Sequence, residues 1–408
     1  MAALMAIGGA YSLASVDWCG RWERTPPKLI ASSRATGELR AGAAAVQVDP
    51  PWPVTIAGYG PGRPTTSRAT HPLFARALVL QVGEVKAAIV SLDVLLVPEA
   101  VVEEVRTRSG LADAWVVATH SHSSFGGYDP RPLAELAGTG WYREAAKNAL
   151  VRAAAEALQE ATQRLGTVQL EVGSADAGLC RPRTGTSCDG RLSRLVLTHE
   201  GAPIGEWLVL AAHPTLIARK PEAVDPDYPG AFAERRLASD AGVALVLQGS
   251  GGNASAPADS TPGGFAEQLE KALPALTAVE QPIELAIARV KVSLPHPDAA
   301  RLVPGFSRVP ATNFVCLSAA REAEVSVLRL GSLAWVAAPV EASDESGARL
   351  EKAAQAQRLV SLANGYLGYL ETSARVAEAG GESKRQYYAS GMLEAIEEGA
   401  RVAAAAVR

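Results

Sequence analysis

Two histidines one residue apart, in Thr119-His120-Ser121-His122-Ser123, follow directly on the apolar run Ala114-Trp115-Val116-Val117-Ala118. Side chains alternate along a strand, so a strand ending this way is expected to aim both imidazoles to one side. Neutral imidazole is the commonest nitrogen ligand for zinc, and near neutral pH enough of it is unprotonated to bind without a large proton cost. The pair alone is a weak signal, since most isolated histidines are simply hydrogen-bonded polar residues. A third, His213, strengthens it: it ends another apolar run, Trp207-Leu208-Val209-Leu210-Ala211-Ala212, in a chain with only six histidines.

Further donors fall at the same kind of place. Glu341 follows Leu333-Ala334-Trp335-Val336-Ala337-Ala338, and Tyr366 and Tyr369 follow Leu359-Val360-Ser361-Leu362-Ala363 in Asn364-Gly365-Tyr366-Leu367-Gly368-Tyr369. Residues at the ends of separate strands can meet at one rim of a sheet, where α/β proteins tend to bind ligands. One carboxylate with two imidazoles makes a catalytic zinc set with a position left for water. Each donor also has a plainer reading: Glu341 as an acid complementing the dipole of the helix that follows, the tyrosines as core-edge residues with a hydrogen-bonded hydroxyl. A glycine-rich stretch, Gln248-Gly249-Ser250-Gly251-Gly252-Asn253-Ala254-Ser255-Ala256-Pro257, would free backbone N–H groups for an oxyanion or a phosphate. No Gly-Lys-Ser/Thr follows it and no G-x-S-x-G occurs in it, which excludes a Walker loop and a nucleophile elbow. Ser250 and Ser255 remain candidates for action at a metal site.

These residues require an alternation of strands and helices to position them. The patterning predicts a β-hairpin at 76–82 and 86–92, a helix from Pro98 to about Arg108, the histidine-bearing strand, and a long Ala-rich helix over about 141–163. Strands are expected near 168–172, 194–198, 205–211 and 243–248, with helices near 229–239 and 265–273. The C-terminal half adds strands at 283–294, 324–330, 333–338 and 358–363, and helices at about 344–357 and from Ser390 onward. The class is α/β, with mixed β-sheets flanked by helices. The sequence shows no internal repeat.

Composition agrees with a large folded body: 408 residues, 48% hydrophobic and 20% charged, are enough to bury a substantial core in one large unit. With 39 basic against 43 acidic residues and no basic cluster, nothing points to nucleic acid or to a polybasic membrane patch. Ala2 to Ala14 is apolar and small, a candidate export signal or anchor remnant, although no Lys or Arg precedes it and it is short for a bilayer span. Gly20 to Glu38 reads as an Arg/Pro/Ser-rich linker, giving residues 1–38 as an N-terminal segment and 39–408 as the folded domain. Cys180 and Cys188 lie close enough for a disulfide in an oxidising compartment, and their spacing fits neither a redox motif nor a zinc ribbon.

Taken in order, these motifs resemble those of the neutral/alkaline ceramidases, zinc amidases that hydrolyse N-acylsphingosine to sphingosine and fatty acid. The resemblance runs from Ala57-Gly58-Tyr59-Gly60 through Ser91-Leu92-Asp93, the double-histidine motif, His213-Pro214-Thr215, Asp227-Tyr228-Pro229-Gly230 and residues 248–257 to Glu341 and 364–369. It implies a ceramidase-like catalytic domain, without the C-terminal immunoglobulin-like domain of longer members, and Zn²⁺ held by His120, His213, Glu341 and Tyr369. It also implies His122 beside the metal, Ser255 as the active-site serine, and Arg181 as a substrate-facing arginine. A ceramide-like lipid would be the substrate. Export or membrane association is then expected over a cytoplasmic location, and contact with a membrane surface stays open.

Four departures from the family pattern stand out. Ser124-Phe125 replaces Gly-Pro after the histidines, Asn253 stands where a carboxylate is usual, and Pro339-Val340-Glu341 replaces Pro-Gly-Glu. The family's oxyanion tyrosine is absent near Gly380-Gly381-Glu382, with Tyr387 and Tyr388 as candidate substitutes. Two alternatives follow: a zinc-containing lipid-binding protein without turnover, or a zinc amidase or esterase for another lipid.

Overall fold

The computed structural model describes residues 16, 18–20, 22–219, 221–299, 302 and 308–408. The apolar stretch Ala2 to Ala14 lies outside them. Three five-stranded sheets are each built to one plan. In the first, Arg40–Val48, Leu73–Val82 and Val85–Leu92 run antiparallel, and Trp115–Ala118 joins the edge parallel to Val85–Leu92. The second repeats this with Gln169–Asp176, Arg191–His199 and Ala202–Leu210 plus the parallel strand Val243–Gln248. Ile283–Ser293, Glu322–Leu330 and Leu333–Ala337 plus Arg358–Val360 make the third. A helix precedes each parallel strand: Glu99–Ser109, Asp227–Ala238 and Asp344–Ala354. Parallel strands need such a crossover, because a tight hairpin can only reverse the chain.

The fold is thus mixed sheets flanked by helices, with a threefold repetition of topology that the sequence does not carry. Both faces of the central strands are largely buried, as in Leu73–Val82 and Val243–Gln248, so these strands read as nearly continuous apolar runs. Alternate residues point inward to one shared core: Leu78 and Ile89 from the first sheet, Trp207 and Leu245 from the second, Leu328 and Trp335 from the third. The indoles of Trp207 and Trp335 meet there edge to face, with centroids 5.0 Å apart. The residues between them point outward to the helices, as Val79 and Val90 do against Glu99–Ser109 and Glu144–Gln163.

The fifth strand of each sheet corrects the reading of the N-terminus. In the first two sheets the chain supplies it after the last helix of the unit, at Gly166–Thr167 and Thr277–Val279. The third unit ends in the helix Met392–Ala406, and its edge strand is Lys28–Gly37, paired antiparallel with Ile283–Ser293. What reads as a linker is therefore in part the closing strand of the third sheet. Its residues are half-buried or exposed in alternation, a weaker pattern than the doubly buried strands show. Two disulfides, Cys19–Cys316 and Cys180–Cys188, link the described residues. Among the described residues no helix is long and apolar enough to cross a membrane.

Candidate functional site

The connections after the third and fourth strands of the three units converge on one cavity of about 910 Å³. From the first unit come His120 and His122, from the second His213 and Ser255, and from the third Glu341, Tyr366 and Tyr369. The histidine pair is brought together differently from what strand alternation predicts. The strand stops at Ala118, and His120 takes a left-handed conformation, φ 72°, which turns the chain out of the sheet. Its amide donates to Val94 O at 2.9 Å, and that of His122 to Pro214 O at 3.2 Å. A tight turn held by neighbouring loops, at a backbone conformation that is uncommon outside glycine, sets the two rings edge to face with centroids 4.7 Å apart.

Three acceptor atoms close a triangle. His120 Nε2 lies 3.3 Å from His213 Nε2, and Glu341 Oε2 lies 3.2 and 3.0 Å from them respectively. The partners of the other ring nitrogens fix the tautomers: His120 Nδ1 faces Leu95 O at 2.7 Å and His213 Nδ1 faces Gly251 O at 2.8 Å. A carbonyl only accepts, so each Nδ1 carries the hydrogen and each Nε2 presents a lone pair to the other. Glu341 Oε1 accepts from Tyr366 Oη at 2.5 Å, which leaves Oε2 facing the imidazoles. Three lone pairs at this spacing repel one another unless a cation lies between them. Burial, together with the nearby Arg183, pushes His213 down to about 4, so His213 does not bring a proton into the triangle at neutral pH. Tetrahedral zinc with bonds of about 2.0–2.1 Å sets neighbouring ligand atoms roughly 3.3 Å apart, and the triangle fits it.

Two more side chains border the triangle. Tyr369 Oη is 3.2 Å from His213 Nε2, and His122 Nε2 is 3.3 Å from His120 Nε2. His120, His122 and His213 together also form a group able to hold a metal ion. His122 differs from the other two in that its Nδ1 is buried without a hydrogen-bond partner, so no carbonyl fixes its tautomer. Burial and the two neighbouring imidazoles hold it well below the usual histidine range. Gly58 makes room for it: with φ 83°, a Cβ there would meet His122 Nδ1 at 2.9 Å. For Glu341, burial opposes ionisation, but the histidines outweigh it and hold the carboxyl well below the carboxylate range. Burial raises both Tyr366 and Tyr369 above the usual phenol range.

The remaining residues singled out by the sequence are placed less simply. Ser255 lines the cavity and bridges to His213 through the backbone. Ser250 is fully buried against Gly347 and is not among the lining residues. Arg181 is exposed and does not line the cavity; Arg183, two residues on, does. The strand pair Arg181–Pro182 with Ala254–Ser255 is only two residues long, and Arg183 N then donates to Asn253 O, which turns that side chain inward. Arg183 Nη2 donates to Tyr369 Oη at 3.0 Å. Tyr387 lines the cavity, whereas the Tyr388 hydroxyl is committed to Ala320 O.

The glycine stretch does not offer the anion cradle that its composition suggests. The amides of Gly249, Gly251, Gly252 and Ala254 donate to Leu210 O, Gly249 O, Ala342 O and Gly251 O. Its carbonyls serve instead: Gly251 O and Ala254 O hold His213 Nδ1, and Gly252 O accepts from Arg183 Nη2. Asn253, which stands in place of a carboxylate, ties Thr184 O and Ser187 O to Asp344.

Solved structures of similar fold include a neutral ceramidase from Pseudomonas aeruginosa, with TM-score 0.76, 18% identity and coverage of 91% of this chain and 74% of that one. A ceramidase complexed with C2 gives TM-score 0.78 at 17% identity, covering 91% of this chain and 75% of that one. At these identities the likeness is one of fold: the chain has the neutral-ceramidase fold. No protein-family model and no curated protein matches the sequence.

Proposed function

We propose that the chain is a zinc-dependent amidohydrolase that cleaves the N-acyl amide of ceramide or a related lipid to a fatty acid and an amine. The observation that carries this is the convergence of two imidazole Nε2 atoms and one carboxylate oxygen at the base of a partly apolar cavity. His120, His213, Glu341 and Tyr369 would hold the metal. Bound there, zinc would polarise the amide carbonyl and make a water acidic enough to attack near neutral pH.

The chain's own groups have separable tasks. Leu95 O and Gly251 O keep His120 and His213 in the tautomer that presents Nε2, and Tyr366 keeps Glu341 Oε2 turned toward them. His122, with Nδ1 free, is suited to carry a proton from the attacking group to the leaving nitrogen. Arg183 is positioned to donate to the carbonyl oxygen as it gains charge, in the role expected of Arg181, and removal of one such donor costs on the order of 10²–10³ in rate. Ser255, beside His213 on the cavity wall, contacts the reacting group either as nucleophile or as a hydrogen-bond partner of the attacking water. Leu95, Leu96, Leu133 and Leu302 line the space for an acyl chain, worth about 0.8 kcal/mol per buried methylene. The two disulfides support a protein that folds in an oxidising compartment, in keeping with export.

The test is metal content by elemental analysis of purified protein, alongside fatty-acid release from a short-chain fluorescent ceramide with and without chelator. About one zinc per chain with chelator-sensitive release is expected. Zinc without release from any N-acyl lipid would favour a binding role, and absence of zinc affinity would overturn the ligand assignment.

A further inference from the structure

The cavity walls carry more positive charge than a neutral lipid head requires. Four arginines line it: Arg131, Arg183, Arg219 and Arg385. Arg131 is cancelled by Asp129, which it grips through Nε and Nη2 at 2.9 and 2.6 Å. Arg183 and Arg385 share a single carboxylate, Glu382. Arg219 has no carboxylate within 4.0 Å among the described residues, nor has its neighbour Arg63, whose hydrogens go to the carbonyls of Ile56, Ala57, His122 and Arg219. Both guanidiniums lie over the Tyr59 ring, 4.9 Å away for Arg63 and 5.4 Å for Arg219. The far contact of that ring is His122, with centroids 4.9 Å apart. The uncompensated charge therefore sits one aromatic ring from the imidazole at the reacting centre.

Arg183 adds a second sign of an unfilled anion position. Its Nε is buried without a hydrogen-bond partner while its Nη2 contacts Tyr369, so one of its donors is unspent. In a chain whose net charge is −4, this concentration of arginine on one cavity is not a reflection of overall composition. Arg219 is exposed and hydrated, so what would draw an anion to it is the positive field of the arginine-lined cavity.

We infer that the substrate is an N-acyl amide whose amine half carries an anionic group, a carboxylate or a phosphate, close to the scissile bond. The acyl chain lies along Leu95, Leu96 and Leu133, and the anion lies against Arg183 on one side or Arg219 on the other. Arg219 is the specificity-determining residue at the rim. This rests on the amidohydrolase reading above and replaces a neutral sphingoid head by a charged one.

The zinc-loaded protein is assayed with N-lauroylglycine, N-lauroylphosphoethanolamine and N-lauroylethanolamine, which share one acyl chain, and with a short-chain ceramide. At least one anionic amide is expected to exceed both neutral ones in kcat/KM by about ten-fold or more. Preference for glycine assigns a carboxylate and preference for phosphoethanolamine a phosphate. Arg219→Gln is expected to reduce the anionic-to-neutral ratio about ten-fold, chiefly through KM, and Arg219→Lys to restore part of it. Hydrolysis of the neutral amides at equal or higher kcat/KM overturns the inference and leaves the amidohydrolase reading intact. If no amide is hydrolysed, that reading fails, and calorimetry decides the charge preference: tighter binding of either anionic amide supports it, equal or weaker binding overturns it.

Discussion

The histidine loop, residues 119–123, and the glycine loop, residues 249–256, leave equivalent strands in two units of the fold, yet they contribute opposite things. The first commits its amides to Leu92 O, Val94 O and Pro214 O and sends two imidazoles into the cavity. The second commits its amides to neighbouring carbonyls, and turns its own carbonyls of Gly251 and Ala254 onto His213 and that of Gly252 onto Arg183. A repeated frame thus carries an asymmetric site, in which one loop points candidate metal ligands into the cavity and the other orients donors that belong elsewhere. Glycine here allows close approach of backbone to backbone; it does not expose N–H groups to a ligand.

Substitutions in the two loops should separate these roles. His120→Ala removes a corner of the acceptor triangle, and the expected result is loss of stoichiometric zinc with kcat/KM down on the order of 10³ or more, since Lewis-acid stabilisation is worth several kcal/mol. Metal analysis and turnover of the best N-acyl amide check it together; full zinc retention would move His122 into the ligand set in its place. Gly252→Ala touches no ligand atom. Its Cβ would stand 2.6 Å from Glu341 O and 2.7 Å from the carbonyl carbon of Ala342, so the strand carrying Glu341 must shift. A loss of zinc affinity of about 10–100-fold, the scale of displaced supporting groups, is expected by competition with a chelator. Unchanged affinity would show that the glycine loop does not hold the ligand frame.

Much of this contrast is legible in the sequence and part of it is not. The fold class, most strands and helices, and the ligand candidates at strand ends follow from apolar runs buried on both faces, which leave an unmistakable pattern. Lys28–Gly37 leaves none, because an edge strand with one half-exposed face can be built from Lys, Ser, Arg and Thr, and its partner is remote in the chain, Ser32 pairing with Ala288. The repetition of three units is invisible because topology constrains burial and not identity. Composition marks the glycine loop as special but does not say whether its donors or its acceptors face the site, since that depends on which carbonyls neighbouring loops bring within reach. Arg183 is missed in favour of Arg181 for a similar reason: a two-residue ladder gives alternation no length over which to act.

Asn253→Asp makes a smaller change in the same loop. The amide Nδ2 donates to Ser187 O at 3.0 Å and to Asp344 Oδ1 at 3.1 Å, and Oδ1 accepts from Asp344 N. A carboxylate would face a carbonyl and another carboxylate, so a loss of about 1–3 kcal/mol in stability is expected, read by denaturant unfolding. Zinc-loaded turnover should not rise. An increase on restoring the acid would mean that position 253 takes part in chemistry and that the glycine loop does more than orient the ligands of its neighbours.

The finest distinction between the loops is their response to pH, because only the histidine loop and its partner His213 carry groups that titrate near neutrality. A free histidine titrates near 6.5, whereas burial, then Arg183, pushes His213 down to about 4, and burial moves His122 the same way. Between those values the unfolded chain takes up protons that the fold refuses. The stabilisation is therefore complete above about 6.5 and is lost as pH falls toward 4, on the order of 1–2 kcal/mol for His213 by pH 5, with His122 contributing in the same direction. Asp227 works in the opposite sense: burial raises it to about 6, so its contribution is lost as pH rises through that value. Denaturant unfolding of the metal-free protein at pH 7 and pH 5, compared with His122→Gln, isolates the imidazole contribution from that of the carboxyl. The variant should narrow the difference between the two pH values, and an equal difference in both proteins would place His122 in contact with water rather than with its neighbours' rings.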